Sequence, residues 1–125
     1  MIASHRDLKV WQQAMDLAEA ACLLASQLPK LEARALADQM SRSAISVPSN
    51  IAEGYGRESA RSYGQFLKVA RGSLNELETQ ILLARRIRLI TCDQTVPLLS
   101  SIEAVSKMLN ALIRSLRSRQ DHAAT

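Results

Sequence analysis

The segment Tyr63–Ala84, YGQFLKVARGSLNELETQILLA, decides the predicted fold. Its apolar residues recur at alternating steps of four and three positions: Tyr63, Leu67, Ala70, Leu74, Leu77, Ile81 and Ala84. This spacing places all of them on one face of an α-helix, in the heptad pattern of helices that pack at a shallow angle. We therefore predict a helix over residues 59–89, capped by Ser59, with this face buried against neighbouring helices.

Helical periodicity also marks the segments at the two ends of the chain. Helix 1 is predicted over residues 8–28, with Asp7 at its N-terminus as cap or first-turn acid and Pro29 ending it. Its apolar stripe is Leu8, Trp11, Met15, Ala18, Cys22 and Ala25, with Leu17, Leu24 and Leu28 beside it.

Helix 4 is predicted over residues 94–117, beginning after Thr91 or Asp93, and residues 118–125 are expected to fray. Its buried face is Leu98 or Leu99, Ile102, Val105, Leu109, Leu112 and Leu116.

Helix 2, predicted over residues 32–55, contains a proline. Its apolar face is Leu36, Met40, Ala44, Val47, Ile51 and Tyr55. Pro48 removes one backbone hydrogen bond, so we predict a kink there rather than an end. Gly54-Tyr55-Gly56 is expected to end the helix with a left-handed glycine cap. The four segments together predict an all-α fold, an antiparallel up-down-up-down four-helix bundle.

The bulk composition limits the class of protein. A chain of 125 residues that is 47% hydrophobic fits one domain with its own core. Cys22 and Cys92 have no metal-binding or CxxC spacing, which favours reduced thiols in the cytosol. No apolar run approaches the roughly 18–20 residues of a membrane span, so we expect a cytoplasmic protein without membrane contact.

The net charge of +4 is unevenly distributed along the chain. Residues 1–56 carry five Lys/Arg against six Asp/Glu, whereas residues 57–125 carry eleven against six. On helix 3 the basic residues lie nearly opposite the apolar face, and Arg114, Arg117 and Arg119 add charge to helix 4. The candidate nucleic-acid contacts are Arg57, Arg61, Lys68, Arg71 and Arg86.

Two surface features each permit a second interpretation. Glu58 and Glu78 interrupt the basic stripe, which is also the pattern of an ordinary solvated helix face. Helix 1 is apolar over a wider arc than one bundle seam requires, and Trp11 lies near its start. The surplus either fills a large core or packs against another subunit.

Catalytic and cofactor motifs are missing from the sequence. It contains no HExxH, Gly-x-Ser-x-Gly or P-loop element, and Gly54-x-Gly56 lacks the third glycine of a dinucleotide site. Arg117 and His122 have the Arg-x4-His spacing of some helical-bundle ribonucleases, but they fall in the predicted tail. We expect neither enzyme activity, metal nor cofactor.

Long stretches of the chain resemble one bacterial family. The matching segments are Asp7–Trp11 (DLKVW), Arg42–Arg57 (RSAISVPSNIAEGYGR), Phe66–Leu67 and Ala70–Gln80 (ARGSLNELETQ). They resemble a family of four-helix bundles first noticed as reading frames in intervening sequences of 23S ribosomal RNA genes. The likeness extends from Asp7 into helix 4.

The resemblance implies a four-helix bundle that assembles into a ring, a homopentamer. The family is similar to the accessory variability determinant of diversity-generating retroelements, which binds nucleic acid and a reverse transcriptase through a basic pentamer. By this analogy the leading hypothesis is a non-enzymatic oligomer that binds RNA or DNA. The alternative is a structural or adaptor protein that binds another protein and has no nucleic-acid role.

The family-like motifs also have structural interpretations. Ser46, Ser49 and Asn50 are expected to satisfy backbone groups around Pro48, and Glu53 to pair with Arg57. Gly72 and Ser73 predict a close crossing by another helix at the middle of helix 3.

Overall fold

The chain forms four helices that share one core. The computed structural model describes residues 2–124, with side chains through Gln120. The helices are α1 (Lys9–Ser26), α2 (Arg34–Tyr55), α3 (Ala60–Arg86) and α4 (Cys92–Ala124), preceded by a 3₁₀ turn at His5–Asp7. Each helix packs on the next, and α1 also packs on α4. The predicted all-α four-helix bundle is therefore confirmed.

The predicted face of α3 is the centre of this core. Its six residues from Leu67 to Ala84 are at most 1% exposed, and Tyr63 at its start is half-buried. The face predicted for α2 is likewise buried from Met40 to Ile51. Both helices keep one apolar line at heptad spacing, so their orientation follows directly from the sequence.

Helix α1 is rotated relative to the prediction. Its buried line is Val10, Ala14, Leu17, Ala21 and Leu24, continued by Leu28 just past its end, with Ala18 and Ala25 beside it. Met15 is 44% exposed, and Trp11 is only half-buried. The physical reason is that the small side chains of Ala14 and Ala21 allow the α1 backbone to approach the core closely. The larger Trp11 and Met15 side chains then lie at the edge of the α1–α2 contact.

Contacts between α2 and α3 run in opposite chain directions. Ser46 of α2 meets Ser73 of α3 through a 2.7 Å hydrogen bond between their hydroxyl groups. Gly54, later in α2, instead touches Phe66, earlier in α3. Helix α2 continues through Pro48, as predicted. The bend at Pro48 and the antiparallel order of the whole bundle stay predictions.

A polar network surrounds Pro48 on the α3 side. The Asn50 amide donates to the Ser46 carbonyl at 2.8 Å and to its hydroxyl at 2.9 Å. Ser46 in turn bonds to the buried Ser73, which confirms the helix crossing at Ser73. The Asn50 amide satisfies a backbone carbonyl as expected, whereas the Ser46 hydroxyl bonds to side chains. No such crossing occurs at Gly72, which is exposed and where an added Cβ atom would have no neighbour within 4 Å.

The end of α2 differs from the expected left-handed glycine cap. Gly56 is the C-cap residue, but its φ of −77° and ψ of −2° are right-handed, and no described glycine has a positive φ. The Gly56 amide bonds to the Ala52 carbonyl at 3.3 Å, so the last turn closes without reversing its hand. The glycine that tertiary packing requires is Gly54, because it lies against Phe66 and Tyr63 of α3.

Helix α3 ends at Arg86, three residues before the predicted end, in a left-handed turn. Arg88 has a φ of 65°, the one positive value among the described non-glycine residues. The Leu89 amide bonds to the Ala84 carbonyl at 2.9 Å, and the Arg88 amide bonds to the Arg85 carbonyl at 3.1 Å. These two bonds form a Schellman motif, in which the left-handed position is usually glycine.

We expect Arg88→Gly to stabilise the protein by about 0.5–1 kcal/mol. Glycine removes the Cβ strain of the left-handed conformation, although its greater freedom in the unfolded chain offsets part of the gain. Urea unfolding followed by circular dichroism measures the change. Arg86→Gly is the matched control, since the same substitution at the last right-handed helical residue should destabilise by up to about 1 kcal/mol. Loss of stability in both variants would contradict the prediction.

The N-terminal segment caps itself rather than α1. The Asp7 carboxylate accepts hydrogen bonds from the Ala3 amide at 2.8 Å and the Ser4 amide at 3.1 Å. The N-cap of α1 is Leu8, which makes no side-chain cap bond, so the predicted capping of helix 1 by Asp7 is wrong. The reason is the 3₁₀ turn at His5–Asp7, in which Ser4 and Asp7 complete a capping box.

Acid should open this N-terminal turn. The hydrogen bonds from Ala3 and then Ser4 to the carboxylate lower the pKa of Asp7 below its ordinary value. A lowered pKa means that the cap contributes fully above about pH 4 and is lost as the pH falls through the folded-state pKa. The protection of the Ala3 and Ser4 amides against hydrogen exchange, relative to unstructured amides at the same pH, should fall over that range. In Asp7→Asn the exchange should be fast at every pH; unchanged protection in that variant would refute the assignment.

Helix α4 begins after Thr91, the first of the two predicted starts. The Gln94 amide donates to the Thr91 hydroxyl at 3.2 Å, and the Thr91 amide donates to the Gln94 side-chain carbonyl at 2.9 Å. The helix then runs to Ala124. The predicted tail from residue 118 is therefore wrong, because the helical turn persists through Gln120 and beyond, while Thr125 lies outside the described residues.

One helix of the described chain is long and apolar enough to cross a membrane by length and composition. It is the Cys92–Gln120 part of α4, with a mean hydropathy of 1.3 in its most apolar window. This is weak evidence, because a core helix of a soluble bundle meets the same criteria. The buried stripe of α4, from Thr95 to Leu116, packs within the bundle. The absence of membrane contact stays a prediction.

Candidate nucleic-acid interface

Helix α3 presents most of the predicted basic residues to solvent. Arg57, Arg61, Lys68 and Arg86 are exposed, whereas Arg71 is half-buried. The stripe extends along the whole helix, however. Arg61 and Arg86 lie roughly 37 Å apart at about 1.5 Å per residue. The five predicted residues therefore do not form one site.

Arg57 is held by contacts within the protein. Its guanidinium bonds to the Glu53 carboxylate at 2.8 Å, which confirms the predicted pair, and lies 4.5 Å from the centre of the Phe66 ring. The pair is exposed, so it contributes little to stability. Its main effect is to fix the Arg57 side chain over one face of Phe66.

Arg71 links two helices. Its guanidinium donates to the Asn110 side-chain carbonyl of α4 at 3.1 Å. A half-buried arginine in this position is oriented toward the α3–α4 contact. Of the five predicted contact residues, Arg71 is the one that takes part most directly in the packing between helices.

Arg61 and Lys68 lie on the same groove between α3 and α4. We call it the basic groove; it has a volume of about 310 Å³ and is lined by Ala60, Arg61, Gly64, Gln65, Lys68, Ile113, Leu116, Arg117 and Gln120. Three of these residues are cationic and none is acidic. Neither Arg61 nor Lys68 forms an ion pair with any side chain that the structure describes.

Arg117 and Gln120 are the lining residues that the sequence alone does not single out. For Arg117 the sequence suggests added charge near the end of helix 4 and a ribonuclease-like spacing with His122 but no groove, and it predicts a frayed tail at Gln120. Because α4 continues as a helix, both side chains face the beginning of α3. Continued helical spacing past Leu116, with arginine at 114 and 117, is the signal that could have located them.

The same end of the bundle also holds Tyr63. Burial raises the pKa of Tyr63, Tyr55 adds to this effect, and the positive charge of Arg119 opposes it. The Tyr55 and Tyr63 rings meet edge to face with their centres 6.1 Å apart. The influence of Arg119 shows that another cation of α4 lies near the start of α3.

An apolar groove lies between α1 and α2, next to Pro48. Its volume is about 730 Å³ and its lining includes Trp11, Met15, Ile45 and Pro48, with Asp16 and Glu19 among its polar residues. His5 lies at one end, edge-on to Trp11 with ring centres 5.1 Å apart. The surplus apolar arc predicted for helix 1 is therefore partly exposed here rather than fully buried.

The described residues offer little for metal or nucleophilic chemistry. No three His, Cys, Asp or Glu side chains among them lie close enough to hold a metal ion. Both cysteines are free, and exposed Cys92 accepts hydrogen bonds from the Arg85 guanidinium at 3.0 and 3.1 Å. The Arg117–His122 pair of the ribonuclease alternative is only half described, because the His122 side chain lies outside the described residues.

Comparison with known proteins identifies the family. The family model described as 23S rRNA-intervening sequence protein matches residues 6–111, which include all of α1 to α3 and most of α4. The chain belongs to this family. The resemblance seen in the Asp7–Trp11, Arg42–Arg57 and Ala70–Gln80 motifs is thereby confirmed.

A solved structure supports the fold of this family member. It is a protein of unknown function from the S23 ribosomal protein family of Bacteroides thetaiotaomicron. The two chains are 24% identical, with a TM-score of 0.77, and the match covers 83% of this chain and 97% of the other. At this identity the likeness concerns the fold alone. No curated protein matches the chain.

Proposed function

We propose that this member of the 23S rRNA-intervening sequence family is a non-enzymatic, oligomeric protein that binds RNA or DNA. The observation that carries the proposal is the convergence of Arg61, Lys68 and Arg117 on the basic groove. Arg61 and Lys68, which pair with no acidic side chain among the described residues, can attract phosphates and release counterions when they bind. Arg86 extends the positive surface toward the far end of α3.

Assembly strengthens this proposal. One chain carries a net charge of only +4, whereas a ring of five copies would carry about +20. When one groove of the ring holds a long polyanion, the equivalent grooves meet the same molecule at a high effective concentration. The overall affinity is therefore higher than that of one groove. We propose that the apolar α1–α2 groove contributes to the contact between copies. The surface of another copy that would fit it is the side of α3 on which Val69 and Leu83 are about half exposed.

The experiment combines mass and binding measurements on the same sample. Light scattering gives the number of chains in the particle, and labelled RNA and DNA are then titrated into that species at low and moderate salt. We expect a homopentamer whose affinity falls steeply as salt rises. Absence of binding to either nucleic acid at low salt would overturn the proposed function, and a monomer would overturn the proposed ring.

The alternative is an adaptor that binds another protein through the apolar α1–α2 groove. The observation that favours it is the exposure of Met15 and Ile45, at 44% and 54%, beside Trp11. Exposed apolar grooves of this kind accept amphipathic helices. In the adaptor case Met15→Glu and Ile45→Glu would abolish partner capture but leave the number of chains per particle unchanged. In the proposed ring, the same variants would separate the copies.

A further inference from the structure

We propose that the wall of the basic groove at Gly64 is a seat for a backbone phosphate of a nucleic-acid duplex. The inference rests on the proposed function and specifies its chemistry: the protein binds the sugar-phosphate backbone rather than the bases. Three independent features of the described residues support it: an open glycine, the arrangement of cations around it, and the absence of aromatic rings from the groove.

Gly64 has no packing role within the chain. A Cβ atom added at this position would have no neighbour within 4 Å, although Gly64 lies inside α3. Glycine is unfavourable in the interior of a helix because it loses the most conformational freedom. Gly54 differs, since its Cβ would collide with α3. The missing side chain at Gly64 therefore leaves room for a ligand to approach the helix backbone.

Cations surround this open position. Arg61 lies one turn before Gly64 on α3, Lys68 lies one turn after it, and Arg117 lines the groove from α4. Arg61 and Lys68 are about 10 Å apart along the helix axis. This distance is the axial length of about three nucleotides in one strand of a duplex. A phosphate above Gly64 would thus have a positive group on either side along the strand and a third opposite.

Among the residues that the structure describes, the groove offers no ring on which an unpaired base could stack. None of its lining residues is aromatic. Of the two rings near Gly64 along α3, Tyr63 is half-buried against Tyr55, and Phe66 is covered on one face by Arg57. Single-strand-binding proteins rely on stacking to hold splayed bases. A groove with cations and amide groups but no free ring suits a backbone whose bases remain paired.

Gly64→Ala tests the seat, with Gly72→Ala as its control. Both glycines are inside α3, and neither Cβ would meet another atom, so alanine should raise the thermal unfolding midpoint of each variant by a few degrees. Binding of labelled DNA and RNA duplexes is then measured by fluorescence anisotropy. Gly64→Ala should weaken binding several-fold, whereas Gly72→Ala, which lies outside the groove, should bind as the wild type does.

The cation on α4 provides a second measurement. Arg117→Gln should weaken binding about tenfold, and the slope of log affinity against log salt should decrease by the equivalent of about one phosphate contact. Both effects should be equal for duplexes of unrelated sequence. Normal affinity in both Gly64→Ala and Arg117→Gln, with a wild type that binds duplexes, would overturn the seat and leave the proposed function standing. A strong sequence preference, or tighter binding of single strands, would also overturn it. A wild type that binds no nucleic acid would overturn both proposals.

Discussion

Gly54→Ala should lower the free energy of unfolding by about 1–2 kcal/mol. The new Cβ atom would lie 2.9 Å from Cβ of Phe66, 3.0 Å from the Tyr63 ring and 3.2 Å from the Tyr63 carbonyl. The Phe66 Cβ atom is bonded to the α3 backbone and the Tyr63 carbonyl is part of it, so neither can rotate away. The two helices must therefore move apart. Such overpacking costs roughly 1–3 kcal/mol, and the higher helix propensity of alanine offsets only about 1 kcal/mol. Urea unfolding monitored by circular dichroism measures the loss.

Gly56→Ala is the matched control for Gly54. Gly56 has a right-handed conformation, and the nearest atom to its Cβ position is 3.6 Å away, which is ordinary van der Waals contact. Alanine should therefore change stability there by no more than about 0.5 kcal/mol. Equal effects at the two glycines would show that Gly54 is not the point of closest approach between α2 and α3.

The double variant Arg61→Glu/Lys68→Glu should weaken nucleic-acid binding by about 100-fold. Each substitution removes one charged contact, worth roughly 1.5 kcal/mol or more, and places a like charge beside the phosphates. The slope of log affinity against log salt should also decrease by about two contacts. Both side chains are exposed and neither contributes to the core, so the fold should be preserved. Anisotropy titrations at several salt concentrations measure both quantities.

Lys30→Glu/Lys107→Glu makes the same change in net charge elsewhere on the surface. Lys30 is exposed in the link between α1 and α2, and Lys107 is exposed on α4, where it pairs with Glu103 at 3.3 Å. If the basic groove binds nucleic acid, this control should lose much less affinity. Equal losses in the two double variants would mean that only net charge matters and that the groove is not a site. Light scattering on each variant checks that assembly is unchanged.

The sequence predicted the helices better than it predicted their ends. Periodicity located the buried faces of α2 and α3, because a regular helix converts spacing directly into direction. The predicted helix ends were less accurate. The sequence predicts a left-handed glycine at the end of α2, but Gly56 is right-handed. The left-handed residue is Arg88, at the end of α3. Glycine is the residue most easily placed in a left-handed helix cap, but the hydrogen bonds of the last turn decide which residue takes the left-handed conformation.

The candidate site was predicted only in part. Arg61 and Lys68 are on the predicted stripe, and both line the groove. Arg71 is also on it, but the structure bonds this side chain to Asn110. Arg117 and Gln120 come from α4, and a contact between two helices cannot be read from the periodicity of either one. The expectation of a frayed tail from residue 118 concealed Gln120 further.

The sequence by itself determined the family, the number of helices and the direction of the main apolar faces, since these depend on residue spacing within single helices. Tertiary structure alone decided which of two apolar lines of α1 enters the core and why Gly54 must lack a side chain. It also decided which cations of α3 and α4 line the basic groove together. These features depend on the distance between neighbouring helices. That distance is set by the small residues at their contacts, through the packing of all four helices together.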